Sequence, residues 1–184
     1  MSAAPLKPAA AAVLTHFTRT SRSGDALDNL VTILRNGSIA GSTRMVPGKQ
    51  RAVCLFDVPL AELSRLLTRA NRRRYQPFGV ALDKRYAFAM GARPVFYLPL
   101  TEARAILAAE ELWRVVAIDL RRTPAVDWTF EREWRVPGAL PLPARGAVAL
   151  VESWRDADEL YDRFDGAPPC AGVLPLENLF GSGA

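Results

Sequence analysis

The stretch Val126-Asp127-Trp128-Thr129-Phe130-Glu131-Arg132-Glu133-Trp134-Arg135-Val136-Pro137 decides how the chain is read. It alternates with period two. Trp128, Phe130, Arg132 and Trp134 fall on one side; Thr129, Glu131, Glu133 and Arg135 fall on the other. That periodicity predicts a strand over Trp128–Val136 with an aromatic packing face. The opposite face carries two carboxylates and a guanidinium. Carboxylates two apart on a strand project to the same side, and like charges so placed raise one pKa unless a cation intervenes. Arg135 is the same-face candidate for that pairing. The face is either a chemical site or a solvated edge patched with ion pairs of little energetic weight.

Upstream, Ala12–Phe17 reads as a first strand ending at His16, the only histidine of the chain. Leu27, Leu30, Val31 and Leu34 recur at helical spacing after Ser23 and Asp25, and Asn36-Gly37 stops the run, so Asp25–Arg35 is an amphipathic helix. Ser38–Gln50 holds Gly41, Pro47 and Gly48 without periodicity and reads as a loop long enough to carry function. Further strands are expected at Arg51–Phe56, Phe78–Leu82, Pro94–Leu98, Trp113–Leu120, Ala147–Val151 and Ala171–Leu174. Helices are expected from Pro59 to about Asn71, over Lys84–Ala92 as a short helix or turn, from a Thr101 cap to about Leu112, and over Asp156–Phe164. Trp113 and Trp154 read as packing residues. Strands outnumber helices, no βαβ repeat runs through the chain, and neither common Gly-rich phosphate loop occurs, which favours a mixed α+β domain over a doubly wound sheet.

The 184 residues suit one domain, with 49% hydrophobic and 23% charged residues, as in ordinary globular proteins. The Ala- and Pro-rich start reads as a flexible leader over residues 1–11, without a signal-peptide layout, ahead of a single domain over 12–180. No apolar run is long enough to span a bilayer, and the chain reads as cytoplasmic. Cys54 and Cys170 are far apart and lack metal-ligand spacing; with one histidine, no structural zinc site is expected. Cys54, inside an apolar run, reads as a buried inert thiol. The net charge is +5. Arg65, Arg69, Arg72, Arg73, Arg74, Lys84 and Arg85 crowd one segment. Such a cluster either holds phosphate, of a nucleic acid or a dinucleotide, or is a solvated helix end.

A lone histidine serves as readily in a structural hydrogen bond as in chemistry. His16, between Thr15 and Phe17-Thr18 at a strand end, is placed to be held locally and still face a cleft. No Ser or Cys nucleophile motif accompanies it, so a triad hydrolase is poorly supported. Tyr97 reads either as core with its hydroxyl satisfied or as a site residue.

Thr15-His16-Phe17-Thr18, followed by Asn29-Leu30-Val31-Thr32-Ile33-Leu34-Arg35-Asn36-Gly37, resembles the opening of DarT-type ADP-ribosyltransferases. A second set resembles AbiGi-type abortive-infection proteins: Val53–Phe56 with Pro59-Leu60, Tyr75-Gln76-Pro77-Phe78-Gly79-Val80, Lys84, Gly91–Val95 with Tyr97, and Phe130-Glu131-Arg132-Glu133-Trp134-Arg135. This second resemblance spans roughly His16 to Arg135, most of the chain.

It implies an ADP-ribosyltransferase-like fold, a mixed and split β-sheet core with flanking helices, whose cleft binds NAD. It implies transfer of ADP-ribose to a nucleic acid or a protein, in phage defence or a toxin–antitoxin pair. Carried over by residue, His16 with Thr18 would hold the nicotinamide ribose region and Tyr97 would stack, with Arg93 a looser cofactor contact. Glu133 would be the catalytic carboxylate by analogy, with Glu131 assisting or orienting the acceptor. Arg72, Arg73, Arg74, Lys84 and Arg85 would meet pyrophosphate or nucleic acid, and a cognate toxin or antitoxin would be a partner. Two other readings stand beside this one. The first is a non-catalytic, antitoxin-like module that binds a protein or nucleic acid. The second is a nucleic-acid hydrolase that uses Glu131, Glu133 and His16 with a metal or as an acid–base set.

Overall fold

The computed structural model describes residues 12–143 and 146–180; the expected leader over residues 1–11 lies outside them. The strands are β1 (Val13–Phe17), β2 (Ser38–Ala40), β3 (Ala52–Phe56), β4 (Gly79–Asp83), β5 (Arg93–Pro94), β6 (Phe96–Leu98), β7 (Val115–Ala117), β8 (Glu133–Pro137), β9 (Ala139–Pro141), β10 (Val148–Val151) and β11 (Gly172–Pro175). The α-helices are α1 (Ala26–Asn36), α2 (Leu63–Leu66), α3 (Lys84–Ala89), α4 (Leu100–Ile106), α5 (Trp154–Asp162) and α6 (Glu177–Phe180). Seven strands form one mixed sheet in the order β11-β10-β4-β1-β3-β8-β5, in which only β10 and β11 run parallel. Two two-stranded sheets, β2-β9 and β6-β7, flank it. Among the described residues, no helix is long and apolar enough to cross a membrane.

Helix α1 forms where its caps and stripe predict. Asp25 and Asp28 exchange side-chain-to-backbone bonds in a capping box, and Gly37 ends the helix at φ 60°. Leu27, Leu30, Val31 and Leu34 bury against one sheet face, formed by Leu14, Val53, Leu55, Val80, Leu82 and Val136, and α5 adds Ala157 and Leu160 to the same core. The opposite face buries Phe17, Phe56 and Ala81 under Leu63, Leu66, Tyr75 and Leu176.

The sheet is joined unevenly. Strand β1 pairs with β4 along its whole length, from Val13↔Asp83 to Phe17↔Gly79. Strand β3 pairs fully with β8, from Ala52↔Pro137 to Phe56↔Glu133. Between β1 and β3 the single register pair is Thr15↔Phe56. Beyond it the two halves of the sheet separate.

Several sequence expectations are corrected. The strand expected over Trp128–Val136 begins only at Glu133, because Asp127 Oδ1 accepts from the Thr129 N–H and hydroxyl and turns Thr129–Glu131 into a 3-10 turn. Arg132 then takes the left-handed conformation at φ 46°. The helix expected from Pro59 to Asn71 is broken into α2 flanked by two 3-10 turns. Asn71 Nδ2 donates to the Leu66 carbonyl and so caps the short helix. The Pro94–Leu98 strand divides at Val95, whose N–H bonds Glu133 at the sheet edge while Phe96–Leu98 leaves to pair with β7. The helix expected from Thr101 to Leu112 starts at Leu100 without a side-chain cap and ends at Ile106, and a 3-10 segment follows over Ala109–Arg114. The start of the expected Ser38–Gln50 loop is β2, which pairs with the unforeseen β9. Trp113 is buried as expected, but Trp154 is exposed.

Candidate functional site

The cleft lies where β1 parts from β3. There the Cys54 carbonyl is met by His16 Nδ1 at 2.9 Å. A carbonyl only accepts, so Nδ1 carries the proton and Nε2 is left as the ring's acceptor. Burial lowers the His16 pKa, against the bond to Cys54, which raises it. The imidazole is therefore neutral at pH 7.

Around His16 the cleft has a volume of about 280 Å³ and opens to solvent. One wall is aromatic. Phe56 meets Phe17 at 5.6 Å and Tyr75 edge-on at 5.2 Å between ring centroids. Glu131, Glu133 and Arg135 also line the cleft, and Ser42, Arg44 and Met45 of the loop after β2 complete the lining together with Arg19, Arg74 and Cys54. Cys54 is half-buried, and burial pushes its thiol pKa up.

The two glutamates differ. Glu133 Oε1 accepts from Arg135 Nε at 2.8 Å, and both side chains are buried. Arg135 also donates to the carbonyls of Trp113 and Val115 at 2.8 and 2.9 Å and to that of Met45 at 3.3 Å. The Glu133 N–H donates to the Tyr97 hydroxyl at 2.7 Å. This carboxylate is therefore compensated by a guanidinium whose donors are engaged on several sides. Burial pushes the Tyr97 phenol up to about 12, against the bond from the Glu133 N–H.

Glu131 is 4% exposed. Arg74 Nη2 lies 3.3 Å from its Oε1, but not in hydrogen-bonding alignment, and that oxygen has no hydrogen-bond partner. Neither has the buried Tyr75 hydroxyl. Burial raises the Glu131 pKa to about 7; Arg74 opposes this and Glu133 adds to it. Burial also raises the Tyr75 phenol, with Glu131 adding to the effect. The Arg74 guanidinium lies over the Trp128 ring at 3.7 Å. The Arg19 pKa is lowered first by burial and then by the like charge of Arg44, so two guanidiniums approach each other in the cleft. No ion pair to either occurs among the described residues. The cleft can thus take a polar, anionic ligand against an aromatic wall, with a carboxylate oxygen and a phenol that lack hydrogen-bond partners at one end.

Of the residues singled out in the sequence, the fold brings His16, Glu131 and Glu133 into this cleft. Thr18, Tyr97 and Arg93 do not line it. The Thr18 hydroxyl donates to the carbonyls of Ala26 and Phe78. Tyr97 supports Glu133 from behind, and Arg93 donates to Phe88 and Ala92 and stacks on Phe88. The basic segment is dispersed: Arg72 pairs with Glu152, Lys84 with Asp57, and Arg74 enters the cleft. Arg19, Arg44 and Tyr75 were not singled out for this site. Arg19 follows the His16–Thr18 motif directly, and the length of the Ser38–Gln50 loop pointed at Arg44.

No family model matches the chain, and no curated protein matches it. The abortive-infection resemblance is therefore supported by no family model. Two solved structures are similar, both of Thermus sp. 2.9 DarT. The one in complex with carba-NAD+ is 15% identical, with 90% of this chain and 96% of that chain covered and a TM-score of 0.47. The one in complex with NAD+ is 16% identical over 89% and 95%, with the same TM-score. A likeness this distant assigns neither a ligand nor a residue role to this chain.

Proposed function

We propose that the cleft binds NAD and that the chain is an NAD-dependent ADP-ribosyltransferase, the activity implied by the motifs around His16 and Glu131–Arg135. The observation that carries this reading is the buried carboxylate oxygen of Glu131, beside Arg74 but without a hydrogen-bond partner, in the same cleft as the neutral His16. His16 Nε2 is an acceptor suited to a ribose hydroxyl of the nicotinamide half. Arg19 and Arg44 are cations without a carboxylate partner among the described residues, suited to the pyrophosphate. The Phe17–Phe56–Tyr75 wall offers a π-face to the nicotinamide.

Cleavage of the nicotinamide–ribose bond develops positive charge on the sugar, and a carboxylate in a desolvated site stabilises it. Glu131 is the better candidate for that role than Glu133, because Arg135 already compensates Glu133. Glu133 then acts by holding Arg135. Tyr97 acts by fixing the first residue of β8, and Thr18 and Arg93 support the fold. ADP-ribose passes to a protein or nucleic-acid acceptor, in the defence or toxin–antitoxin setting that the resemblance implies.

The test is a thermal-shift titration with NAD together with an assay of released nicotinamide. A ligand that binds only the folded state at a hundredfold excess over its Kd adds about 2.7 kcal/mol. Wild type is expected to shift and to release nicotinamide. His16→Ala is expected to lose the shift, and Glu131→Gln to keep the shift and lose the release. No shift at saturating NAD would sink the reading, and full activity in Glu131→Gln with loss in Glu133→Gln would reverse the two glutamates.

A further inference from the structure

Arg74 is held in the cleft in an unusual way. Its guanidinium stacks on Trp128 at 3.7 Å and stands 3.3 Å from Glu131 Oε1. Among the described residues it makes no hydrogen bond. Its side chain is 35% exposed, whereas that of Glu131 is 5% exposed. A residue whose task was only to neutralise Glu131 would be expected to aim its fork at both oxygens, as Arg135 does toward Glu133. Arg74 instead presents one nitrogen edge to one carboxylate oxygen while its face is occupied by an indole. A nitrogen nucleophile is thus already positioned beside the carboxylate, in the cleft where the ribose would sit.

From this arrangement, and resting on the reading of the cleft as an NAD site, we propose that Arg74 is itself an acceptor: the chain transfers ADP-ribose from NAD onto its own Arg74 guanidinium. The bond between the nicotinamide nitrogen and the ribose anomeric carbon breaks, and its electron pair leaves with nicotinamide, which becomes neutral. Arg74 Nη2 forms the new bond to that carbon, and its proton passes to the Glu131 carboxylate and on to solvent. The guanidinium remains cationic, so one NAD and one arginine give ADP-ribosyl-arginine, nicotinamide and one proton. No oxidant or reductant is needed. Because donor and acceptor are held by one chain, the step is unimolecular in the NAD complex, and fixed proximity favours it over transfer to free arginine. The Trp128 stack keeps the guanidinium in place while its charge is partly desolvated.

The experiment is mass spectrometry of the intact chain and its peptides after incubation with NAD, with released nicotinamide measured in parallel. The expected result is a gain of one ADP-ribose per chain, located on Arg74 and not on the neighbouring Arg72 or Arg73. The fraction modified per unit time should not change when the chain is diluted. Arg74→Lys should show no gain at this peptide. Glu131→Gln should lose both the gain and the nicotinamide release, and Trp128→Ala, which keeps both reacting groups but frees the guanidinium from its stack, should slow the gain several-fold. Nicotinamide release with Arg74 unmodified, or modification only at other arginines, would overturn the acceptor assignment while leaving the NAD reading intact. Absence of both nicotinamide release and an NAD-dependent thermal shift would overturn the NAD reading, and the acceptor assignment with it.

Discussion

Glu131 and Glu133 are two positions apart and both buried, yet folding affects them in opposite ways. Glu133 is folded into a pair with Arg135; removing its charge leaves a buried guanidinium uncompensated, which costs about 3–5 kcal/mol. Glu131 is buried with a raised pKa. A carboxyl raised from its ordinary 4.5 to about 7 binds its proton more tightly in the folded chain than in the unfolded one. Its contribution to stability is therefore fully present below pH 4.5 and is lost as pH rises through about 7. At roughly 1.4 kcal/mol per unit, that loss is on the order of 3 kcal/mol. Urea unfolding of wild type and Glu131→Gln across pH 4 to 8 should show wild type losing stability relative to the variant over this window, while Glu133→Gln is less stable than wild type at neutral pH. Parallel curves for wild type and Glu131→Gln would remove the argument that Glu131 is a desolvated carboxyl.

At the scale of elements, the cleft depends on how closely β1 can lie against β4. Gly79 sits opposite Phe17 in the register, and a Cβ built there would fall 1.9 Å from the His16 carbonyl oxygen, which is backbone and cannot swing aside. Gly79→Ala is expected to force the end of β1 away from β4, to cost about 1–3 kcal/mol or more, and to abolish the NAD-dependent thermal shift even where the variant remains folded. A variant that kept the wild-type shift would show that the end of β1 need not be fixed for the cleft to work. The same elements mark what the sequence could reveal. Helix α1 was legible because its stripe, Asp25 and Gly37 agree with one another. The Glu131–Glu133 turn was not. Period-two alternation runs through Trp128–Arg132 although the Asp127 side chain folds Thr129–Glu131 into a turn, and the left-handed residue is an arginine with no glycine to announce it. Two β-ladders meet at Val95 within a run that reads as one strand, for the same reason: pairing partners far away in sequence decide where a strand ends.

At the scale of the molecule, the cleft is assembled from β1, the loop after β2, β3, the Arg74–Tyr75 segment, the turn at Glu131 and β8. This is why its glutamates and histidine could be picked out singly while Arg19, Arg44 and Tyr75 could not. Arg135 is where these parts are tied together, because one guanidinium bonds Glu133 on its own strand, the chain entering β7 through Trp113 and Val115, and the cleft loop through Met45. The loop carries exposed Arg44 and Lys49 and left-handed residues at Met45 and Lys49; buried Val46 against Trp113 and the Gln50 side chain on the Glu110 carbonyl hold its far side, and the Arg135 bond holds its Met45 carbonyl. Lysine keeps the charge at 135 but lacks the planar fork that reaches several carbonyls at once. In Arg135→Lys, trypsin should therefore cut after Arg44 and Lys49 faster, by a factor larger than the change in the global unfolding rate measured by denaturant jump. Local opening and global unfolding are separate events with separate free energies, which makes the comparison decisive. If NAD spans the cleft between His16 and Arg44, saturating NAD should slow these cuts in wild type and protect Arg135→Lys less. Cutting that rises only in step with unfolding would mean that Arg135 supports the fold as a whole and holds the cleft loop no more firmly than the rest.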